Sequence, residues 1–317
     1  MIEKILQYRS SLMGFSIIWI YINHLSFFGY LGNLRIINSF IEIGSCGVDI
    51  FMILSSMGLY LSLQKNDNVL FFYKKRLNRI LPCFVLLYPI WVITHGLVTK
   101  RSFNPYPYLT SMWFILAILI FYLLYPYCYK KITERRNKRL NILIISIIIT
   151  GVLTLILHKL GNNYAYMYGT WMNTVQRIPI FITGTLLILR VRLPIMIYKS
   201  HIIFWIALCA AYIIHYNFDN FYYSQLLFVS YYFLSISIIK YLIHLFEHNN
   251  TINKFMKFIG KYTLEIYLVH MLLMPFMKFL IPTFSYIGVI IFITFLTIVG
   301  VYFTNRILNI YYKIIKL

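Results

Sequence analysis

Apolar runs of about 17–22 residues recur along this chain, about ten in all, and each is long enough to cross a hydrocarbon core of roughly 30 Å as a helix. A soluble core has no room for them. The 317 residues are 61% hydrophobic and only 12% charged, with a mean hydropathy of +0.75, more apolar surface than one water-facing domain can hide. The runs are continuous rather than alternating, which specifies helices and not the strands of a barrel. The expected fold is therefore all-α: a polytopic transmembrane helix bundle of about ten spans forming a single integral membrane domain over residues 1–317. The spans fall at 11–29, 44–63, 80–98, 110–129, 140–158, 174–189, 201–216, 223–242, 262–280 and 285–305.

The formal net charge of +21 resembles a nucleic-acid signature until the charges are placed on those spans. Most of the Lys and Arg then fall on one side, leaving Arg35, Lys100, Arg101, Lys159, Arg177 and Lys278 on or near the other. That split obeys the positive-inside rule with both termini cytoplasmic. The basicity therefore reads as topology with some attraction to inner-leaflet lipid, and no nucleic-acid partner is expected. The first apolar run lacks a small-residue cleavage site and is expected to stay as a helix. Cys46, Cys83, Cys128 and Cys209 show no C-x-x-C spacing, so neither a disulfide framework nor a metal site is expected.

Polar groups stand out against this background. His24 lies 15 residues beyond Arg9, about 22 Å along a helix and hence in the outer half of the membrane. Asp49 falls early in the next span, entering from the outer side, so the imidazole and carboxylate are expected at similar depth. A carboxylate bonded to one ring nitrogen would leave the other as a general base; a purely structural hydrogen bond between interfacial groups is the plainer alternative. On the inner rim Lys74, Lys75, Arg76 and Arg79 bracket the start of the third span. Arg76 and Arg79 are three apart, share a helical face and can grip phosphate together, although membrane anchoring explains them equally well. Pro82 fits near the N-terminal end of that helix.

Other residues invite weaker readings. The segment GNNYAYMYGTWMN at 161–173, with Tyr168 and Trp171, reads as an outer loop suited to a sugar or to the aromatic belt. Arg177 can hold a polar acceptor or snorkel to headgroups. Glu265 and His270 read as residues that tie helices together, and His95, His158 and His215 as interfacial rather than metal-binding.

Several segments, in order, resemble the acyltransferase-3 family of integral membrane acyltransferases. They are His24; Gly47, Val48, Phe51, Leu54 and Ser55; Arg76, Arg79, Ile80, Leu81 and Pro82; WFILAILIFYLLYP at 113–126; RIPIFITGTLL at 177–187; and Thr263, Leu264, Ile266, Tyr267, Leu268 and His270. Two positions depart from the family pattern. Met13 stands where members usually carry a basic residue 11 positions before the histidine, the nearest one here being Arg9, and a segment that often reads L-S-G-F is Leu54, Ser55, Ser56, Met57.

The resemblance implies a stand-alone membrane O-acyltransferase of the bacterial plasma membrane, using acetyl-CoA or another acyl-CoA and no metal. The implied acceptor is a cell-envelope polysaccharide or a lipid-linked glycan. His24 would be catalytic, as base or as transient acyl carrier, with Asp49 orienting it, and Arg76, Arg79, Lys75 and Arg9 would hold the donor. A flippase of lipid-linked saccharide and a non-enzymatic assembly partner are the rival functions.

Overall fold

A computed structural model describes residues 2–28, 38, 41–99, 112–134, 138–160, 165–189, 200–217 and 221–314. Among them there is no β-strand. The helices are α1 (Ile2–Gln7), α2 (Arg9–Ser26), α3 (Cys46–Lys65), α4 (Val69–Thr99), α5 (Trp113–Glu134), α6 (Arg139–Leu160), α7 (Ala165–Gln176), α8 (Ile178–Ile188), α9 (Ser200–Asn217), α10 (Phe221–His248), α11 (Asn250–Ile259), α12 (Thr263–Leu273), α13 (Met277–Leu280) and α14 (Tyr286–Ile314). Seven segments among the described residues are long and apolar enough to cross a membrane: Ile43–Lys65, Val69–Leu97, Trp113–Glu134, Arg139–Leu160, Gln225–His248, Thr263–Leu280 and Tyr286–Ile314. Two of the other three expected spans fall short for separate reasons: Arg9, Ser10, Ser11, Asn23 and His24 dilute the apolar content of α2, and the run at 174–189 is divided into α7 and α8 at Arg177. The third, 201–216, forms the 18-residue helix α9, whose side chains are described only in part.

Two local expectations change. The third long helix begins at Val69 rather than near 80, because Asn68 caps it by accepting from Phe71 N–H at 3.0 Å and no breaker intervenes before Pro82. The basic run 74–79 is thus part of the helix, and Pro82 lies inside it. Proline has no N–H, so the carbonyl of Asn78 loses its partner in the helix; the Tyr312 hydroxyl donates to it instead at 3.1 Å. The segment read as an outer loop is helical from Ala165 onward, and 161–164 lie outside the described residues, as do Arg35, Lys100, Arg101, Arg135, Arg136, Arg190, Arg192, Lys199 and Lys316.

The bundle is organised around α3. Of its apolar window 72% is buried, against 17% for α6, whose Ile145, Ile148, Val152 and Ile156 face outward. Small residues let neighbours approach the α3 backbone. A Cβ on Gly47 would stand 2.7 Å from the Ser16 carbonyl of α2, and one on Gly184 of α8 would collide with the Ile53 carbonyl. Ser56 is wholly buried against Gly184, so the unusual second serine of the 54–57 segment is accommodated as a packing change opposite a glycine.

The amphipathic α11, capped by the Asn249 side chain accepting from Ile252 N–H at 2.9 Å, lies along α2. It exposes Phe255 and Phe258 and turns Asn253 toward Ser11, whose hydroxyl donates to Asn253 Oδ1 at 2.5 Å. At the crossing Gly14 and Gly260 meet almost backbone to backbone, since a Cβ on Gly260 would collide with the Ser10 carbonyl. From that contact α12 continues alongside α2.

Candidate active site

Arg9, Lys75, Arg76 and Arg79, the four cations expected to meet an anionic donor, line one cavity of about 490 Å³. The spacing argument for Arg76 and Arg79 holds, since both face this space from α4. Its wall then runs along α2 through Met13, Ile17 and Ile20, with Phe51 and Phe114 opposite. The cavity is basic at one end and apolar at the other. Arg9 and Met13 are one helical turn apart on the same wall, so the cation displaced from position 13 still reaches the cavity from position 9.

The arginines are held differently. Arg9 Nε donates to the Leu54 carbonyl at 3.1 Å. Arg76 Nη2 donates to the Gly58 carbonyl at 3.3 Å, and its guanidinium lies over the rings of Phe72 and Tyr122. Its Nε is buried with no hydrogen-bond partner, an unspent donor of the kind an anionic ligand satisfies. Arg79 is already committed. It forms a two-pronged pair with the buried Glu265, Nη1 to Oε1 at 3.1 Å and Nη2 to Oε2 at 3.4 Å, and also donates to the Lys261 carbonyl at 3.2 Å. Glu265 therefore ties α12 to α4, the role its sequence position suggested.

One turn beyond Ile20, His24 meets a different partner from the one expected. His24 Nδ1 lies 2.8 Å from His270 Nε2, with the rings stacked at 5.1 Å between centroids. His270 is wholly buried, its Nδ1 lies 2.7 Å from the Ile266 carbonyl of its own helix, and Tyr21 and Tyr267 present ring edges to it. Asp49 is turned away to Arg177, whose Nε is 3.4 Å from Asp49 Oδ1. A buried carboxylate needs a cation more than it needs a neutral imidazole, and Arg177 at the start of α8 supplies it. The sequence did carry a signal for the histidine pair. Gly14 and His24 are ten residues apart, Gly260 and His270 are also ten apart, and the structure joins both pairs.

Arg177 is likewise not free to hold an acceptor. It is 3% exposed, donates to the Asn173 carbonyl and Oδ1 at 3.3 and 3.1 Å, and is sandwiched between the rings of Trp113 and Phe228, each 4.9 Å away. Trp171 sits half-buried on α7, while Tyr168, on the same helix, lies outside the residues whose side chains are described. His95, His158 and His215 fall near the ends of three separate helices. Among the described residues no three His, Cys, Asp or Glu are grouped to hold a metal ion, and Cys46, Cys83, Cys128 and Cys209 are free thiols.

No curated protein and no solved structure matches the chain. A family model described as an acyltransferase domain, acyltransferase-3, matches residues 12–306. That match takes in both histidines, three of the four cavity cations and all seven apolar spans but for a few residues of the last, so this multi-pass membrane protein belongs to the acyltransferase-3 family.

Proposed function

We propose that the protein is a membrane O-acyltransferase, most simply an O-acetyltransferase, acting in a bacterial plasma membrane with about ten spans and both termini cytoplasmic. The donor is acyl-CoA, acetyl-CoA in the first instance. The acceptor is a hydroxyl of a cell-envelope or exported polysaccharide or of its lipid-linked precursor. The observation that carries this reading is the two-natured cavity on α2: cations at one end, an apolar wall, and His24 one turn beyond the last lining residue of that helix. A donor with phosphates at one end of a long uncharged arm and a thioester at the other matches that order. Arg9, Lys75 and Arg76 would take the phosphates, with the open Nε of Arg76 as the best-placed donor, and Arg79 would act mainly by fixing α4 to α12.

His24 removes the proton from the acceptor hydroxyl as its oxygen bonds to the acyl carbon. The C–S bond then breaks, and the departing thiolate takes the proton that His24 carried, giving ester and free thiol. Asp49 and Arg177 belong to the scaffold in this reading, and Trp171 and Tyr168 remain the acceptor-side candidates on α7. The test is transfer of radiolabelled acetyl from acetyl-CoA to envelope glycans in membranes carrying wild type or His24→Ala at matched expression. Label that disappears with His24→Ala supports the assignment. Label that survives it moves the chemistry elsewhere, and transport of labelled lipid-linked saccharide that is indifferent to both His24 and acyl-CoA would favour the flippase.

A further inference from the structure

We propose that His270 is the positioning residue of the reaction: held by its own helix backbone, it accepts a hydrogen bond from His24 Nδ1–H and leaves His24 Nε2 bare as the base. This rests on the catalytic assignment of His24 above and says how that base is prepared.

The direction of the chain follows from what each atom can do. The Ile266 carbonyl can only accept, so His270 Nδ1, 2.7 Å away, carries a proton and donates it. His270 is wholly buried, and among the described residues the side chains facing it are His24, Tyr21 and Tyr267, none of them a carboxylate. Glu265, on the same helix, is spent on Arg79. A second proton would make His270 an unpaired buried cation, which costs several kcal/mol. Neutral His270 therefore has a bare Nε2. Across the 2.8 Å contact the proton must then sit on His24 Nδ1, and neutral His24 has its lone pair on Nε2. One backbone carbonyl thus sets the tautomer of both rings.

A carboxylate partner would do the same and also stabilise the imidazolium, the arrangement the sequence suggested with Asp49. A neutral partner orients without that stabilisation, so His24 holds a transferred proton weakly and returns it readily. That suits a thioester donor, whose thiolate leaves without strong acid assistance.

The test uses purified full-length enzyme with acetyl-CoA and a soluble hydroxyl acceptor, comparing wild type with His270→Leu and His270→Gln. Leucine removes the acceptor atom, while the glutamine amide oxygen restores it. Loss of tautomer control is expected to lower kcat by ~10²–10⁴-fold, with both KM values within about threefold, and His270→Gln should recover at least about tenfold over His270→Leu. A merely structural histidine would give a loss that glutamine does not repair preferentially, or one that follows the fraction of folded protein. Histidine-¹⁵N spectra of the wild-type protein in lipid give a second readout that needs neither turnover nor a variant at 270. The resonances lost in His24→Ala should report Nδ1 protonated and Nε2 bare. A His24 protonated at Nε2, or a folded His270→Leu enzyme with unchanged kcat, overturns the proposal. Absence of transfer in wild type with the expected spectrum would instead count against the donor or acceptor and leave the tautomer assignment standing.

Discussion

Asp49→Asn separates two readings of the buried carboxylate on α3. The Asp49 and Arg177 side chains are 6% and 3% exposed, and removing one partner of such a pair typically costs ~3–5 kcal/mol because the other charge is left buried. Arg177 keeps its two hydrogen bonds to Asn173 and both aromatic faces. The asparagine also retains an acceptor oxygen, so Asp49→Asn should fall at the low end, about 3 kcal/mol. Arg177→Met strips Asp49 of its cation and should reach about 5 kcal/mol. At roughly 2 °C per kcal/mol for a chain of this size, thermal unfolding in lipid nanodiscs should fall by about 6 °C and 10 °C. The double variant Asp49→Asn with Arg177→Met has no charge left to strand, and should recover to within ~1–2 kcal/mol of wild type, which is a coupling of about 6–7 kcal/mol between the two single losses. Acetyl transfer, normalised to folded protein, should recover with it. An Asp49→Asn enzyme that melts like wild type but has lost kcat, and stays inactive in the double variant, would refute the scaffold reading and return Asp49 to the chemistry.

Two further outcomes follow from the cavity and the helix crossing. Arg76→Ala should raise the donor KM by ~10–150-fold, the worth of a charged hydrogen bond, with kcat little changed. Arg79→Ala should chiefly lower the melting temperature by stranding Glu265, and adding Glu265→Gln should restore much of that loss while Arg76→Ala is not rescued. Gly260→Ala places a methyl group against the Ser10 carbonyl and should cost ~1–3 kcal/mol in thermal unfolding. Gly151→Ala on α6 meets nothing within 4 Å and should be neutral or stabilising by ~0.4–1 kcal/mol.

The class of fold was legible because the bilayer imposes length and apolarity on each crossing segment, and seven of the ten expected runs appear as helices of spanning length and composition. The misses are also physical. Hydropathy marks only the apolar part of a helix, so the charged first turns of α4 were placed outside it although Asn68 begins the helix well before Pro82. The turn at Arg177 was passed over because the strongly apolar residues after it, Ile178 to Leu187, dominate the run, and α7 was taken for a loop because Tyr, Asn and Gly are common in both settings. At the site, the spacing of Arg76 and Arg79 placed those two on one helical face, the family resemblance added Arg9 and Lys75, and all four line one cavity. Pairing was not legible in the same way. Whether Asp49 meets His24 or Arg177 depends on rotation of α3 and on the depth at which α8 starts, and neither is written in a single segment.

The histidine pair shows where additional sequence information lay. Close glycine contacts fix the axial register of two helices more tightly than apolar side chains do, because backbone meets backbone and cannot slide without a clash. Gly14 meets Gly260, and ten residues on from each, His24 meets His270. The same helix α2 carries Arg9 at its start, so His24, the proposed base, and Arg9 are separated by 15 residues of continuous helix, about 22 Å. That separation is set by covalent geometry rather than by loops. In the proposed reaction a donor anchored at Arg9 would therefore have to span a fixed distance before its reactive carbon reached the His24 imidazole, which argues for a long, slender, uncharged arm over a compact activated acyl group and would tie donor selection to the helix that carries His24.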